Sequence, residues 1–139
     1  MFGPHMKPLV PLLLLFTGAT ASADWTKISD AAGNSPERFI DMTSIRQTGP
    51  MATMRRVWEM SNLAKGLSDK AASVKSYTEY DCKDRRVRVL EEDHYAELGA
   101  QGEKLGGAEP DSKLREWSDI GKGSVSEMIF NRVCPNDGS

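Results

Sequence analysis

Two cysteines, Cys82 at the end of a strand-like run and Cys134 at the end of a short helix-like run, constrain this chain more than any other feature. Their meaning depends on compartment, because disulfides persist in exported proteins and are rare in the cytosol. The N-terminus speaks to that point. Lys7 precedes the apolar run from Leu9 to Phe16, and Ala21, Ser22 and Ala23 then form an A-x-A cleavage signal. Punctuated by Pro8 and Pro11, the run falls short of the ~20 residues that a membrane span requires. Residues 1–23 therefore read as a leader cleaved before Asp24, with residues 1–5 an upstream start or an added lead-in, and 24–139 as a single domain. No cysteine follows the cleavage site to accept a lipid. The expected product is periplasmic, secreted or cell-surface associated, without an N-terminal lipid anchor.

In that compartment an even pair of cysteines is expected to form a disulfide. Closing the 82–134 loop should stabilise the fold by about 4 kcal/mol on the chain-entropy model. No C-x-x-C spacing is present to favour thiol exchange. The chain has 18 basic and 20 acidic residues, and Lys7 leaves with the leader. A mildly acidic product is not a nucleic-acid binder.

Two short strands are expected at Trp25–Ser29 and Arg38–Asp41, separated by the breaker Gly33-Asn34-Ser35-Pro36. Asp41 to Ile45 reads as one helical turn or a tight turn, Met51 to Met60 as a third strand anchored in the core by Trp58, and Leu63 to Ala72 as a connecting loop with room for one helical turn. Ser73 to Tyr95 reads as a hairpin about Lys83-Asp84. In the register of a two-residue turn, Tyr80 faces Val87 and Thr78 faces Val89 on one side. Asp81 then meets Arg86, Glu79 meets Arg88 and Lys75 meets Glu92 on the other. One register thus separates apolar from charged side chains, and Cys82 shares the apolar side. A four-residue loop is the other option and would change the partners.

Gly99 to Pro110, rich in glycine, reads as a mobile surface loop. Trp117 is expected to anchor a last extended stretch. Ser124-Val125-Ser126-Glu127 fits a capping box, with Ser124 accepting from the amide of Glu127 and the carboxylate reaching back to the amide of Ser124. Val125, Met128, Ile129 and Val133 then form an apolar stripe at helical spacing, and Pro135 stops the helix. The stripe needs a surface, and the sheet face bearing Cys82 supplies one. These readings add up to a small α+β domain, an antiparallel sheet with one C-terminal helix held by Cys82 and Cys134.

The stretch SVKSYTEYDCKDRRVRVL, the upstream ADW, FIDMTSIR, VWEM and the terminal GSVSEMIFNRVC together resemble the surface-adhesin protein E family over essentially the whole of 24–139. The resemblance implies an antiparallel sheet of about six strands with the helix tethered across it by a disulfide. It also implies a surface adhesin that binds host extracellular-matrix or plasma proteins, with haem binding and a homodimer as further expectations. Lys83, Arg85, Arg86 and Arg88 match the motif around the cysteine. They form the candidate binding surface for acidic matrix proteins or glycosaminoglycans. On the other reading, Arg86 and Arg88 serve the cross-strand ion pairs while Lys83 and Arg85 are turn charges, and Glu91-Glu92-Asp93 dilutes the patch.

His94, the one histidine in 24–139, is a candidate haem or metal ligand, read first as a strand residue near a sheet edge. Met51 and Met54, with Met60 nearby, carry a faint Cu(I) signal, although Met51 and Met54 have opposite parity on a strand. No catalytic metal set is expected. No G-x-S-x-G, phosphate-cradling glycine loop or ligand cluster supplies a nucleophile and base, and Glu91 and Glu92 point to opposite faces. The chain is expected to be a non-catalytic binding protein. The alternative is a soluble periplasmic protein that binds a small ligand such as haem or supports the envelope.

Overall fold

In the computed structural model, residues 3–4, 11, 23–64, 70–108 and 110–135 are described. Most of the leader read at 1–23 and the centre of the loop read at 63–72 lie outside them. Eight strands form one antiparallel sheet: β1 (Trp25–Ser29), β2 (Glu37–Asp41), β3 (Arg46–Thr48), β4 (Met54–Asn62), β5 (Ser73–Asp81), β6 (Arg86–Glu97), β7 (Gln101–Ala108) and β8 (Ser118–Asp119). Their order is β1-β2-β4-β5-β6-β7, with β3 paired to β4 and β8 to β6. The expected six strands are the long path, and the correction is the two short ones. β3 and β8 have three and two residues, too few to show an alternating pattern. Two helices join the sheet, α1 (Ser112–Arg115) and α2 (Val125–Val133). Among the described residues no helix is long and apolar enough to cross a membrane.

The hairpin register holds near the turn: Asp81 pairs with Arg86, Tyr80 with Val87, Glu79 with Arg88 and Thr78 with Val89. A four-residue loop, Cys82 to Arg85, makes that turn without changing those partners, because it adds one residue to each side of Lys83-Asp84. Beyond Thr78 a bulge shifts the ladder, so Lys75 meets Asp93 and not the expected Glu92.

Alternation assigns Tyr80, Val57 and Ile40 to one face, where α2 lays Ile129, Phe130 and Val133 against them. The helix starts at Ser124, whose hydroxyl accepts from the Glu127 amide at 3.1 Å. The return contact falls one residue earlier than expected, with the Gly123 amide donating to Glu127 Oε1 at 3.2 Å. The buried stripe also shifts. Phe130 is in the core and Met128 is 47% exposed, because the i, i+4 row Val125–Ile129–Val133 centres the packed face away from position 128. Cys134 caps the helix and is bonded to Cys82, with Cα atoms 5.6 Å apart.

Three further expectations are overturned. Trp58 is no core anchor: it lies on the opposite face, its ring 4.8 Å from that of Tyr77 with Lys75 Nζ 4.3 Å above it. The third strand begins at Met54 and not at Met51, because Met51 and Ala52 take φ of 57° and 54° in a one-turn 3-10 helix that no strand accommodates. The segment from Gly99 is no loop, for after a 3-10 turn at Leu98–Ala100 it forms β7, paired along β6. β6 is twelve residues long and offers a continuous ladder edge. The glycines sit where that ladder bends. Gly102 has φ of 77°, a left-handed conformation that glycine adopts without the cost a side chain would carry.

Candidate functional site

The expected binding residues lie on and beside the β5–β6 turn. Asp81 shapes it: its Oδ1 accepts from the amides of Lys83 and Asp84 at 3.1 and 3.0 Å, while Cys82 ties the turn to α2. Arg85 adopts φ of 52°. Its guanidinium donates to Glu127 Oε2 at 3.1 Å and lies 4.6 Å from the Phe130 ring centroid. Of the four cations, Lys83 is exposed and its ammonium has no ion pair among the described residues. The other two point elsewhere.

Arg86 and Arg88 project to the face opposite α2. Arg86 donates to Asp81 Oδ2 at 2.9 Å, and Arg88 holds Glu79 Oε1 through Nε at 2.9 Å and Nη2 at 2.7 Å. Trp117 covers both guanidiniums, at 5.1 and 4.4 Å from its ring centroid, which is how it anchors β8 beside it. From the other side Arg56 Nε reaches Glu79 Oε2 at 2.7 Å. Glu79 and Asp81 are thus only 1% and 3% exposed, although the alternation placed them on a charged face. Cross-strand arginines and a tryptophan roof exclude the water that a charged face otherwise meets. The structure therefore separates the motif into an exposed pair, Lys83 and Arg85, and a structural pair, Arg86 and Arg88.

Burial pushes the Glu79 carboxyl up, but the hydrogen bonds and charges of Arg56 and Arg88 outweigh it, leaving the group below its ordinary value of 4.5. Asp81 behaves alike. Burial raises it, the Asp84 amide, Arg86 and the Lys83 amide lower it, and it ends below its ordinary 3.8. Both carboxylates are stronger acids folded than unfolded, so the stability they add is complete above their ordinary values and disappears as pH falls through the lower folded ones. The urea midpoint should decline on acidification below about pH 5, and Glu79→Gln should flatten that decline. An unchanged slope in the variant would mean that Glu79 contributes nothing to the acid sensitivity.

The α2-bearing face carries a groove that the sequence did not reveal. Beyond the helix, this groove of about 430 Å³ runs over β2, β4, β5 and β6. Arg38 Nη2 donates to Glu59 Oε1 at 2.8 Å, and the Tyr80 hydroxyl donates to Glu59 Oε2 at 2.8 Å. Glu59 is 2% exposed. Burial first, then the adjacent Glu59 carboxylate, pushes the Tyr80 phenol well above its ordinary value. Val57-Trp58-Glu59 gave no hint of this, since a glutamate in a strand reads as solvent-facing.

His94 Nε2 is buried without a hydrogen-bond partner among the described residues, 3.7 Å from Glu92 Oε2, and the groove is bordered by Glu59, Glu92 and Asp119 as well as by Arg38 and Arg88. Met51 is 94% exposed on its turn while Met60 is 2% exposed under the sheet, so the methionines do not share one environment.

A family model described as surface-adhesin protein E matches residues 25–135. No curated relative matches the sequence. Among solved structures, crystal form II of Haemophilus influenzae protein E aligns with a TM-score of 0.60 at 20% identity, covering 82% of this chain and 99% of that one. The selenomethionine form of the same protein aligns at 0.58 and 18% identity over 80% and 93%. A structure of protein E from non-typeable H. influenzae aligns at 0.53 and 17% identity over 82% and 78%. At such identities the likeness is one of fold.

Proposed function

The chain belongs to the surface-adhesin protein E family, and from that membership we propose that it is an exported, non-catalytic binding protein whose β5–β6 turn contacts acidic proteins or glycosaminoglycans of a host matrix. The observation that carries this reading is the presentation of Lys83 and Arg85. Both are exposed on a turn held by the disulfide and by the Asp81 side chain. A rigid turn loses little entropy on binding, so its charges contribute more of their attraction to affinity. Arg86 and Arg88 are committed to Asp81 and Glu79 and support the turn from below.

Exposed cations at an interface rim act through long-range attraction that salt screens. Lys83→Ala with Arg85→Ala should weaken binding to immobilised heparin about tenfold at low salt, the scale expected of two rim charges. The folded structure should survive, because Lys83 makes no hydrogen bond or ion pair among the described residues and the Arg85–Glu127 pair is partly solvent-exposed. Surface plasmon resonance over a salt series reads both quantities. Equal affinity of variant and parent at low salt would assign the turn to architecture alone.

A further inference from the structure

We propose that the groove beside α2 binds an uncharged saccharide, at a site separate from the basic turn. Several of its polar groups lack partners among the described residues. Arg38 Nε is buried with no hydrogen-bond partner among the described residues, although its Nη2 is held by Glu59. Buried donors in native proteins are almost always satisfied, by water or a ligand where protein offers nothing. Along the same groove lie the hydroxyls of Ser61, Ser76, Thr78 and Ser126, none of which forms a hydrogen bond among the described residues. Ser61 on β4 and Ser76 and Thr78 on β5 share one face through the pairing of Val57 with Thr78 and Glu59 with Ser76.

The charges select the class of ligand. Arg38 faces Glu59, and Glu92 and Asp119 add two further carboxylates to the border, while Arg88 is taken by Glu79. A site of that balance repels an anion. It also needs donors from its ligand, because a carboxylate only accepts, whereas hydroxyls do both and a guanidinium only donates. A sugar hydroxyl supplies both a donor and an acceptor without charge. A fatty acid supplies no donor for Glu92 or Asp119, and a sulfated polysaccharide brings the wrong sign. Val74, Val89 and Leu114 add apolar wall against which the C–H surface of a sugar ring packs. The volume of about 430 Å³ lies within the range of small-molecule sites.

The test is a titration of isotope-labelled protein with cellobiose, maltose and N,N′-diacetylchitobiose in turn, followed by amide and Arg38 Nε–H chemical shifts. At least one should give saturable shifts confined to Arg38, Ser61, Ser76, Thr78 and Val89, at roughly millimolar affinity. Ser76→Leu, which fills the groove, and Thr78→Val, which deletes one hydroxyl at constant shape, should each weaken that binding about tenfold or more. Thr78→Val keeps the test valid if the larger substitution perturbs folding. Three outcomes would overturn the proposal: no saturable shift with any of the three sugars up to about 20 mM, shifts that both variants leave unchanged, or shifts at these residues from decanoate or a heparin disaccharide instead. Loss of heparin binding by the turn variant leaves the groove titration untouched, so the two sites fail separately.

Discussion

Replacing both cysteines, Cys82→Ser with Cys134→Ser, is expected to lower folding stability by about 4 kcal/mol. The bond closes a separation of 52 residues, which includes β6, β7, α1 and β8, and opening it returns that loop's freedom to the unfolded chain. The effect is large because domains of this size are stable by only about 5–15 kcal/mol in all. It also has a location. α2 has nine residues, too few to persist in water alone, and its attachment to the sheet is the contact of Ile129, Phe130 and Val133 with Ile40, Val57 and Tyr80. Urea unfolding at neutral pH reads the loss, and hydrogen exchange should show α2 amides opening first. A loss under about 1 kcal/mol would mean that packing alone holds the helix.

Arg38→Leu should be nearly as damaging, at about 3–5 kcal/mol, because it leaves the Glu59 carboxylate buried without its cation. Glu59 is 2% exposed, and its other partner is the Tyr80 hydroxyl. The cost belongs to the stranded charge and not to a favourable ion pair. Hence the triple variant Arg38→Leu, Glu59→Leu, Tyr80→Phe should recover most of the loss, since apolar groups of similar shape replace a buried polar set at little net cost. Failure of the triple variant to recover would show that the network contributes stability beyond its own desolvation. Chemical denaturation of the single and triple variants measures both numbers.

The legible parts of this fold were those written in local chemistry. Ser124 and Glu127 announce the start of α2 through capping, and Asp41 announces the 3-10 turn by accepting from the Thr43 amide at 3.0 Å. Near the turn, alternation between β5 and β6 is enough to place Tyr80 and Cys82 inward. The bulge at Tyr77–Thr78 left no mark in the residue pattern, so the far half of the ladder was misaligned by one. Glycine-rich β7 looked like a loop because strand propensity is read from side chains, and what makes β7 a strand is the free edge of β6.

The candidate site divides in the same way. Lys83 and Arg85 could be found because turn cations beside a cysteine are a sequence pattern. The burial of Glu79 and Glu59 could not, although the hairpin register already pairs Glu79 with Arg88, since burial of a carboxylate also depends on which arginines from other strands reach it, and Arg56 and Arg38 come from positions 23 and 21 residues away. By itself the sequence determined the disulfide, the helix start, the inward face of the hairpin and the family, all of which follow from near neighbours or from a continuous motif. Only the tertiary structure decided which charges are free, which are buried and where a groove opens. Those depend on distances between strands that the chain brings together only on folding, and a low-dielectric interior then converts each such distance into a large energy.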